Sequence, residues 1–425
     1  MTAPIQEPAR STPVLAEMDV LVAGGGPAGF CAAIGAARAG ARVALIEKHG
    51  FLGGMMTAGG VLNIRQYNDK QHLVVGGIGL EFANRLVEAG GTEQKPETGT
   101  FLRQDPEITK WIIQEMLREA GVQVRLHTLA CGALTSGNRL GGLIVESKSG
   151  RGALKAAVTV DATGDGDTFP LAGAAFDKTE AALQPMTLTF VASGITFWPN
   201  GFSAEAKEKI NTALEAGAFP CPKSPSLFAM RRTGEFYFNA TRVSGDCSKA
   251  DDLTEAELEG RRQVMNLTSW LRANIPGCEA MEIRQTGAQI GLRESRRLKG
   301  LYTLTREDVL GYREFEDALA RSAYAIDIHK AGGPGGEMTY LAPGRSYGIP
   351  YRCLVPEKVD GLLAAGRCLS ATHDALGSVR VMAVCMATGH AAGVAAALAA
   401  AAQTPSRSLP AGEIRKALSA QGAIL

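Results

Sequence analysis

The stretch DVLVAGGGPAGFCAAIGAARAGARVALIE, residues 19–47, decides the fold of this chain. Its apolar residues 20–23 predict a buried strand, and the alanine-rich segment that follows as far as Gly40 predicts a helix. Residues 43–46 predict a second strand, which ends at Glu47. A strand, a helix and a second strand in this order are typical of a parallel βαβ unit, so the sequence predicts an α/β fold.

Three glycines between the first strand and the helix have the GxGxxG spacing of a dinucleotide-binding turn. Gly24 permits the tight turn, Gly26 lets the backbone approach a pyrophosphate, and Gly29 lets the helix pack on the strand. The N–H groups at the start of the helix favour phosphate. Glu47, 18 residues after Gly29, can accept hydrogen bonds from ribose hydroxyls. A strand–helix turn without a ligand is the alternative, but all features of the dinucleotide motif occur together here.

Composition limits the class of protein. The chain has 425 residues, of which 45% are hydrophobic, and this favours two closely packed domains. A net charge of +1 argues against nucleic acid as a partner. The eight cysteines include no CxxC pair, so we expect reduced thiols in a cytoplasmic protein, and no metal site. Residues 1–15 predict a flexible tail, and the most apolar stretch, residues 391–401, is too short for a membrane span.

Two further glycine-rich segments can follow a cofactor. KHGFLGGMMTAGGVLNI, residues 48–64, comes directly after Glu47, and its methionines make it more apolar than an ordinary surface loop. VTVDATGDGD, residues 158–167, predicts a strand that runs into small residues, although a simple strand–turn explains it equally well.

Elsewhere the pattern alternates between helices and strands. Residues 180–350 contain more aromatic residues and arginines than the rest, which favours an inserted substrate or cap domain. We predict helices over 76–90, from Pro106 to Gly121 with Asp105 as N-cap, over 254–274, and from about Ser378 onwards. We predict strands over 122–126, within 131–160 and over 361–366, and a linker with a terminal helix over 404–425.

The chain resembles the bacterial FAD-dependent oxidoreductase family of the glutathione-reductase-like two-dinucleotide-binding superfamily. The residues that match are GGGPAG (24–29), GFLGGMMTAGG (50–60), DATGDGD (161–167), GLRESRR (291–297), YGIPYR (347–352) and AGRCLSATHDALGSVRVM (365–382). The resemblance implies a discontinuous Rossmann-type FAD-binding domain, residues 16–180 plus 355–425, around an inserted α+β substrate or cap domain, residues 181–354.

The resemblance also implies that FAD binds non-covalently in an extended form. The adenosine would lie near Glu47 and Ala130, and the isoalloxazine near Met55 and Thr57, under the helix that begins at Ser378. A helix N-terminus there would stabilise the negative charge of reduced flavin. The implied cofactor-binding residues are Gly24, Gly26, Pro27, Ala28, Gly29, Glu47, Lys48, Gly54, Met55, Thr57, Ala130, Ala162, Thr163, Gly164, Asp165, Gly366, Ser378, Val379 and Val381.

Two motifs that the sequence lacks indicate what reduces the flavin. No second GxGxxG follows a strand in the middle of the chain, and there is no CxxxxC redox pair. A pyridine-nucleotide disulfide reductase is therefore disfavoured. We expect the flavin to be reduced by a small-molecule substrate and reoxidised by oxygen, a quinone or an electron-acceptor partner; a homo-oligomer is left open.

Four residues are candidates for catalysis. His373, just before the proposed flavin helix, is either a general base or a residue that orders its loop. Arg380 opposes the dipole of that helix, which favours pairing with anionic flavin or a substrate carboxylate. Arg293 belongs to a group of three arginines around Glu294, one of which can reach the pocket. His329 shares a strand face with Asp327, which we expect to orient it only through a neighbour.

Three functions remain open from the sequence. The leading hypothesis is an FAD enzyme that moves a hydride between a small polar organic substrate and flavin N5. The second is an FAD-dependent hydroxylase or oxidase that uses oxygen. The third is a flavin-binding protein without its own turnover, such as an electron-transfer subunit or a non-redox scaffold.

Overall fold

The computed structural model describes residues 5–178, 183–231, 234–330 and 335–425. Its strands are β1 Val14–Ala23, β2 Val43–Ile46, β3 Asn63–Arg65, β4 Phe101–Arg103, β5 Gln123–Arg125, β6 Thr128–Ser136, β7 Arg139–Ser147, β8 Gly150–Asp161, β9 Phe176–Asp177, β10 Phe190–Ser193, β11 Ser226–Ala229, β12 Phe236–Asn239, β13 Glu282–Thr286, β14 Arg297–Leu298, β15 Ala318–Ser322, β16 Ile326–His329, β17 Gly336–Thr339, β18 Tyr347–Pro350 and β19 Leu362–Ala364. Its helices are α1 Pro27–Arg38, α2 Gly77–Glu88, α3 Pro106–Glu119, α4 Thr168–Ala172, α5 Ala204–Glu215, α6 Ala250–Asn274, α7 Arg306–Leu310, α8 His373–Val379, α9 Met382–Ala402 and α10 Ala411–Ala420.

A seven-stranded sheet lies at the centre of the described chain, in the order β5–β2–β1–β8–β7–β6 with β19 also paired to β8. β1 runs parallel to β2 and β8, and β19 runs parallel to β8. β7 is antiparallel to both β6 and β8. The α/β Rossmann-type fold predicted from residues 19–47 is thus confirmed. Since parallel strands end at the same edge, the loops after β1, β8 and β19 meet there.

The small residues of α9 let it pack directly on α1. A Cβ at Gly389 would lie 2.1 Å from the carbonyl oxygen of Ala28, and one at Gly393 would lie 2.0 Å from that of Ala32. Only glycine permits this approach of two helix backbones, so these two glycines fix α9 against the dinucleotide-binding helix. The start of α9 is thereby held at the edge of the sheet where the loops meet.

A second hydrophobic core lies apart from the first. It is built from residues between Met186 and Leu292, on the four-stranded sheet β11–β12–β10–β13 and on α6. Residues from Leu304 to Leu354 pack in the first core instead, together with α1 and α9. The second core is therefore shorter at its C-terminal end than the predicted inserted segment 181–354.

Most of the predicted elements form at the predicted places. Asp105 accepts hydrogen bonds from the backbone N–H groups of Glu107 and Ile108, so it caps α3 as expected. The long helix α6 begins at Ala250, slightly before its predicted start. β1 begins at Val14, so the last two residues of the predicted tail belong to the strand.

The C-terminal helix differs from its prediction in two ways. It does not begin at Ser378, because a short helix, α8, ends at Val379 and α9 starts only at Met382. The apolar stretch was also expected to be too short for a membrane span, but Met382–Ala401 is long and apolar enough by length and composition. Because 89% of an 18-residue window of that segment is buried inside the protein, it has the character of a core helix.

Candidate active site

The turn between β1 and α1 shows why each glycine is needed. Gly24 has φ +99°, and a Cβ there would lie 2.5 Å from the carbonyl oxygen of Ala162. A Cβ at Gly29 would lie 1.8 Å from the carbonyl oxygen of Gly24, so α1 could not reach β1. At Gly26 a Cβ would have only the Cα of Gly54 nearby, at 3.7 Å. Two glycines therefore serve packing, whereas Gly26 keeps space free in front of the backbone.

Glu47 joins this turn to the next loop. Its Oε2 accepts a hydrogen bond from the N–H of Gly25 at 2.8 Å, and its Oε1 accepts one from the N–H of His49 at 2.9 Å. The side chain is buried and lines a cavity of about 440 Å³. Each oxygen retains a second lone pair, so Glu47 can position the turn and also accept bonds from a ribose.

The loop after β8 is held by a buried carboxylate. Asp161 accepts hydrogen bonds from the N–H and hydroxyl groups of both Thr163 and Thr168, at 2.6–2.9 Å. Burial raises the pKa of Asp161 above its usual value, although these four donors favour the ionised form. The contacts hold Thr163, Gly164 and Asp165 in the wall of the cavity.

The cavity runs along most of the residues implied for FAD. It is lined by Gly24, Gly26, Pro27, Ala28, Glu47, Lys48, Gly54, Met55, Ala162, Thr163, Gly164, Asp165, Gly366 and Val381. Five of the implied residues do not line it: Gly29, Thr57, Ala130, Ser378 and Val379. Gly29 acts through packing, and Thr57 donates its hydroxyl to the carbonyl of Leu52.

The position of the C-terminal helix explains why Ser378 and Val379 do not line the cavity. Ser378 is fully buried, donates to the carbonyl of Tyr324 and accepts from the hydroxyl of Tyr347, both at 2.6 Å. The cavity is instead lined by Arg380, Val381 and Met382 at the start of α9. The helix N-terminus at the cavity is therefore that of α9, which begins four residues later in the chain than predicted.

These features fit an extended dinucleotide. Neither α1 nor α9 has a side-chain cap at its N-terminus, so backbone donors there remain for a ligand. Arg367 is buried and pairs through Nη2 with Asp165 Oδ1 at 2.9 Å. Its Nη1 is buried without a hydrogen-bond partner in the described chain, which an anionic or polar ligand would supply. Arg367, which was not predicted, directly follows Gly366 at the end of β19.

Residues from outside the dinucleotide motifs form the other end of the same cavity. Arg293 is held by the carbonyl of Pro185 at 2.6 Å and the hydroxyl of Thr187 at 2.7 Å, both through Nη1. Burial, and then the charge of Arg380, lowers its pKa to about 9. The other two predicted arginines of the group pair with carboxylates: Arg296 with Asp167, and Arg297 with Glu294. One of the three thus reaches the cavity.

Asp327 is the centre of a polar cluster in the cavity wall. Its carboxylate lies 3.4 Å from Nε2 of His329, 3.4 Å from Nη2 of Arg380 and 3.2 Å from the hydroxyl of Tyr324. Burial alone would raise the pKa of Asp327, but His329 and the positive charge of Arg380 hold it well below the usual range. Asp327 contacts His329 directly, so the expectation that it acts only through a neighbour is wrong.

His329 is neutral in this environment. Burial lowers its pKa to about 4, despite the nearby Asp327. Its Nδ1 lies 3.3 Å from Nη2 of Arg242. Because an arginine only donates, Nδ1 accepts in that contact, and the ring proton is then on Nε2, towards Asp327.

His373 is not in the cavity wall of the described chain. Its Nδ1 lies 2.9 Å from a carboxylate oxygen of Glu294, which also pairs with the buried Arg297. His373 is also the first residue of α8, whose N-cap is Thr372. The structure therefore places His373 outside the cavity lining, where its contact with Glu294 can order the loop; its role as a general base stays a prediction.

Lys223 also lines the cavity, although it was not predicted. Its Nζ donates to the backbone carbonyl of Asn239 at 2.7 Å and to its side-chain oxygen at 3.1 Å. Burial, followed by the charges of Arg293 and Arg242, lowers its pKa to about 7. Within the described ranges it forms no ion pair.

Comparisons with known proteins agree with this geometry. Residues 19–418 match the family described as FAD dependent oxidoreductase. A search of curated proteins found no match. A solved geranylgeranyl bacteriochlorophyll reductase-like protein from Thermoplasma acidophilum is 13% identical, with a TM-score of 0.51, covering 96% of this chain and 84% of that one. That likeness concerns the fold alone.

Two further solved structures are similar at lower TM-scores. The anhydrotetracycline hydroxylase OxyS from Streptomyces rimosus is 13% identical with a TM-score of 0.49, covering 95% of this chain and 65% of that one. The flavin-dependent brominase Bmp2 is also 13% identical with a TM-score of 0.49, covering 94% and 83%. The family match spans nearly the whole sequence and includes every loop that lines the dinucleotide end of the cavity, so the chain belongs to the FAD-dependent oxidoreductase family.

Proposed function

We propose that this FAD-dependent oxidoreductase moves a hydride between a small polar organic substrate and N5 of the flavin. Its main support is the single cavity that joins the dinucleotide-binding loops to the ionisable cluster of Asp327, His329, Arg293 and Arg380. A substrate in that cluster would share an enclosed space with the cofactor, as hydride transfer requires. Reoxidation by oxygen, a quinone or a partner protein completes the cycle.

Bound FAD supplies a two-electron acceptor, and the protein supplies binding and proton transfer. His329 is neutral and can accept a proton at Nδ1 when the substrate takes the place of Arg242 at that atom. Asp327 then stabilises the resulting imidazolium through Nε2. Arg380, fixed by Asp327, adds a positive charge next to the start of α9. His329 replaces His373 in this role because it lines the cavity.

The two hydrophobic cores support a division of the chain that differs from the predicted one. We assign residues 16–180 and about 300–425 to the FAD-binding domain, and the segment between them to the inserted domain. β15–β18 then belong with the cofactor domain, although His329 contacts Arg242 of the inserted domain. The glycine turn, the loop after β8 and the return of the chain at β19 are also consistent with the glutathione-reductase-like superfamily.

Anaerobic mixing of the holoenzyme with pools of metabolites tests the proposed function. If the bound FAD accepts hydride from the substrate, the absorbance of the oxidised flavin should disappear with one pool. It should return when oxygen, a quinone or an electron-accepting protein is added. A hydroxylated product, formed only with oxygen, would replace this proposal by the hydroxylase hypothesis. FAD that no pool reduces, but that dithionite does, would favour the scaffold or electron-transfer hypothesis.

A further inference from the structure

We infer that the substrate is an organic acid with an apolar body: its carboxylate binds Lys223 and Arg293, and its body lies against Phe228 and Tyr237. The inference rests on the proposed function only in calling this ligand the substrate. The binding site itself is argued from the inserted sheet, and its ligand class can be measured without turnover.

The anion-binding end is built from two cations that are held but not neutralised. Asn239 accepts two hydrogen bonds from Lys223, and Pro185 and Thr187 accept two from Nη1 of Arg293. In the part of the chain that the structure describes, no carboxylate pairs with either cation, and no hydrogen bond uses Nε or Nη2 of Arg293. Those donors remain for a carboxylate, which an arginine can bind with two parallel bonds.

The lowered pKa values of both groups agree with this assignment. The pKa of Lys223 falls to about 7 and that of Arg293 to about 9, in each case first because of burial and then because of neighbouring cations. Buried cations without a counter-ion are costly, and an anion between them would restore their charged forms. Asp327 is the carboxylate that acts on the pKa values of both cations, but it already contacts His329 and Arg380.

The apolar end follows from the register of two strands. Ser226 of β11 is opposite Asn239 of β12, and Phe228 is opposite Tyr237. All four line the cavity, so one sheet face presents a polar pair and, two residues further on, an aromatic pair. That separation is about 7 Å along the strands. The rings of Phe228 and Tyr237 stack at 6.1 Å between centroids.

The mouth of the cavity is apolar as well. Met338 and Tyr340 line it while remaining 45% and 73% exposed. Val61 and Leu292 continue the apolar wall towards the cofactor loops. A ligand with a charged head and an apolar body therefore matches the cationic end and the apolar walls of the cavity, whereas a uniformly polar ligand such as a sugar does not.

Three small probes separate the two ends of the site. We would titrate the holoenzyme with 3-phenylpropionate, its neutral match 3-phenylpropionamide, and propionate, which lacks the ring. Binding is followed by the shift of the flavin absorbance, and by equilibrium dialysis as a measurement independent of the flavin. We expect 3-phenylpropionate to bind at least about tenfold more tightly than either of the others, the size expected for a charged contact.

Substitutions show which residues cause these differences in affinity. Lys223→Met should weaken the acid at least about tenfold and leave the amide unchanged. Phe228→Ala should weaken the acid and the amide together, and leave propionate unchanged. Lys207→Met, on the exposed face of α5, removes a lysine that does not line the cavity and should change nothing. FAD content and the midpoint of thermal unfolding check that each variant is folded.

The wild-type protein gives an independent test through pH. Lys223 is surrounded by Arg293, Arg242, Asp327 and the thiol of Cys221, and only Lys223 among them has a pKa near 7. The charged lysine is the form that binds the acid. Affinity for 3-phenylpropionate should therefore be highest below pH 7 and fall above it by up to about tenfold per pH unit, whereas the amide shows no such fall.

The outcomes separate this inference from the proposed function. Equal affinity for acid and amide, no saturable binding of the acid, or an unaffected Lys223→Met variant would overturn the inference, even if some metabolite reduces the flavin. Selective binding of the acid by a flavin that no metabolite reduces would leave the inference standing and contradict the proposed function.

Discussion

Gly26→Ala should separate cofactor binding from folding, because its Cβ would enter the cavity without touching the protein. The nearest protein atom would be the Cα of Gly54 at 3.7 Å, an ordinary van der Waals distance. The backbone of Gly26, with φ −74° and ψ −170°, is also accessible to alanine. The same change at Gly24 or Gly29 would instead place a methyl group against backbone oxygen, at 2.5 Å or 1.8 Å.

The magnitudes follow from these distances. In Gly24→Ala, the positive φ costs about 1–2 kcal/mol and overpacking costs about 1–3 kcal/mol. The free energy of unfolding of this variant should therefore fall by about 2–5 kcal/mol. Gly29→Ala should cost about 3 kcal/mol or more, because a whole helix must shift. Gly26→Ala should change the stability of the apoprotein by less than about 1 kcal/mol. Its methyl group should nevertheless weaken FAD by about 1–3 kcal/mol, or about 5- to 150-fold.

Two measurements on each variant test these different roles of the three glycines. Denaturant unfolding of the apoprotein gives stability, and titration with FAD, followed by quenching of flavin fluorescence, gives affinity. Wild-type affinity in Gly26→Ala would refute the placement of the pyrophosphate at this turn. Unfolding of Gly26→Ala at the same denaturant concentration as Gly29→Ala would show that the distinction between the glycines is mistaken.

Glu47→Ala should lower the FAD occupancy of the purified protein. It removes two hydrogen bonds that position the turn, each worth about 1.5–3 kcal/mol, together with the acceptor for the ribose. Unchanged flavin content would argue against this role of Glu47. NADH and NADPH should be poor reductants, and rapid, saturable bleaching in a stopped-flow experiment would contradict that expectation. His329→Gln should slow substrate-driven flavin reduction by about 10²–10⁴-fold, whereas His373→Gln, which alters only the contact with Glu294, should slow it less than about threefold. The reverse order of the two histidine variants would return the base to the loop before α8.

The dinucleotide half of the site was predictable because its signals are local. Gly24, Gly26 and Glu47 lie within one βαβ unit, where strand, turn and helix are each visible in the sequence. The start of α9 was misplaced because Val381 provides no side-chain cap, whereas Thr372 caps a separate short helix. Thr372, with an acidic residue in the turn that follows it, was the available sign that a helix begins there.

The polar end of the cavity was much less predictable, because tertiary packing assembles it. Lys223 is a single lysine in a loop between prolines, and nothing in its neighbourhood indicates a cavity. It becomes a candidate only when β11 and β12 bring it to Asn239. Conversely, His373 looked catalytic because a motif surrounds it, but the buried pair of Glu294 and Arg297 determines where its ring points. Sequence order cannot reveal which of the two histidines lines the cavity.

Anaerobic titration of the holoenzyme with a library of organic acids that have apolar bodies, read at the oxidised flavin band, tests the proposed chemistry most directly. We expect that at least one acid bleaches the flavin completely at a stoichiometric ratio to bound FAD, that its amide does not, and that Arg293→Met abolishes the response while retaining FAD. Flavin that stays oxidised with every acid, yet is reduced by a neutral or cationic metabolite in the same apparatus, would contradict it.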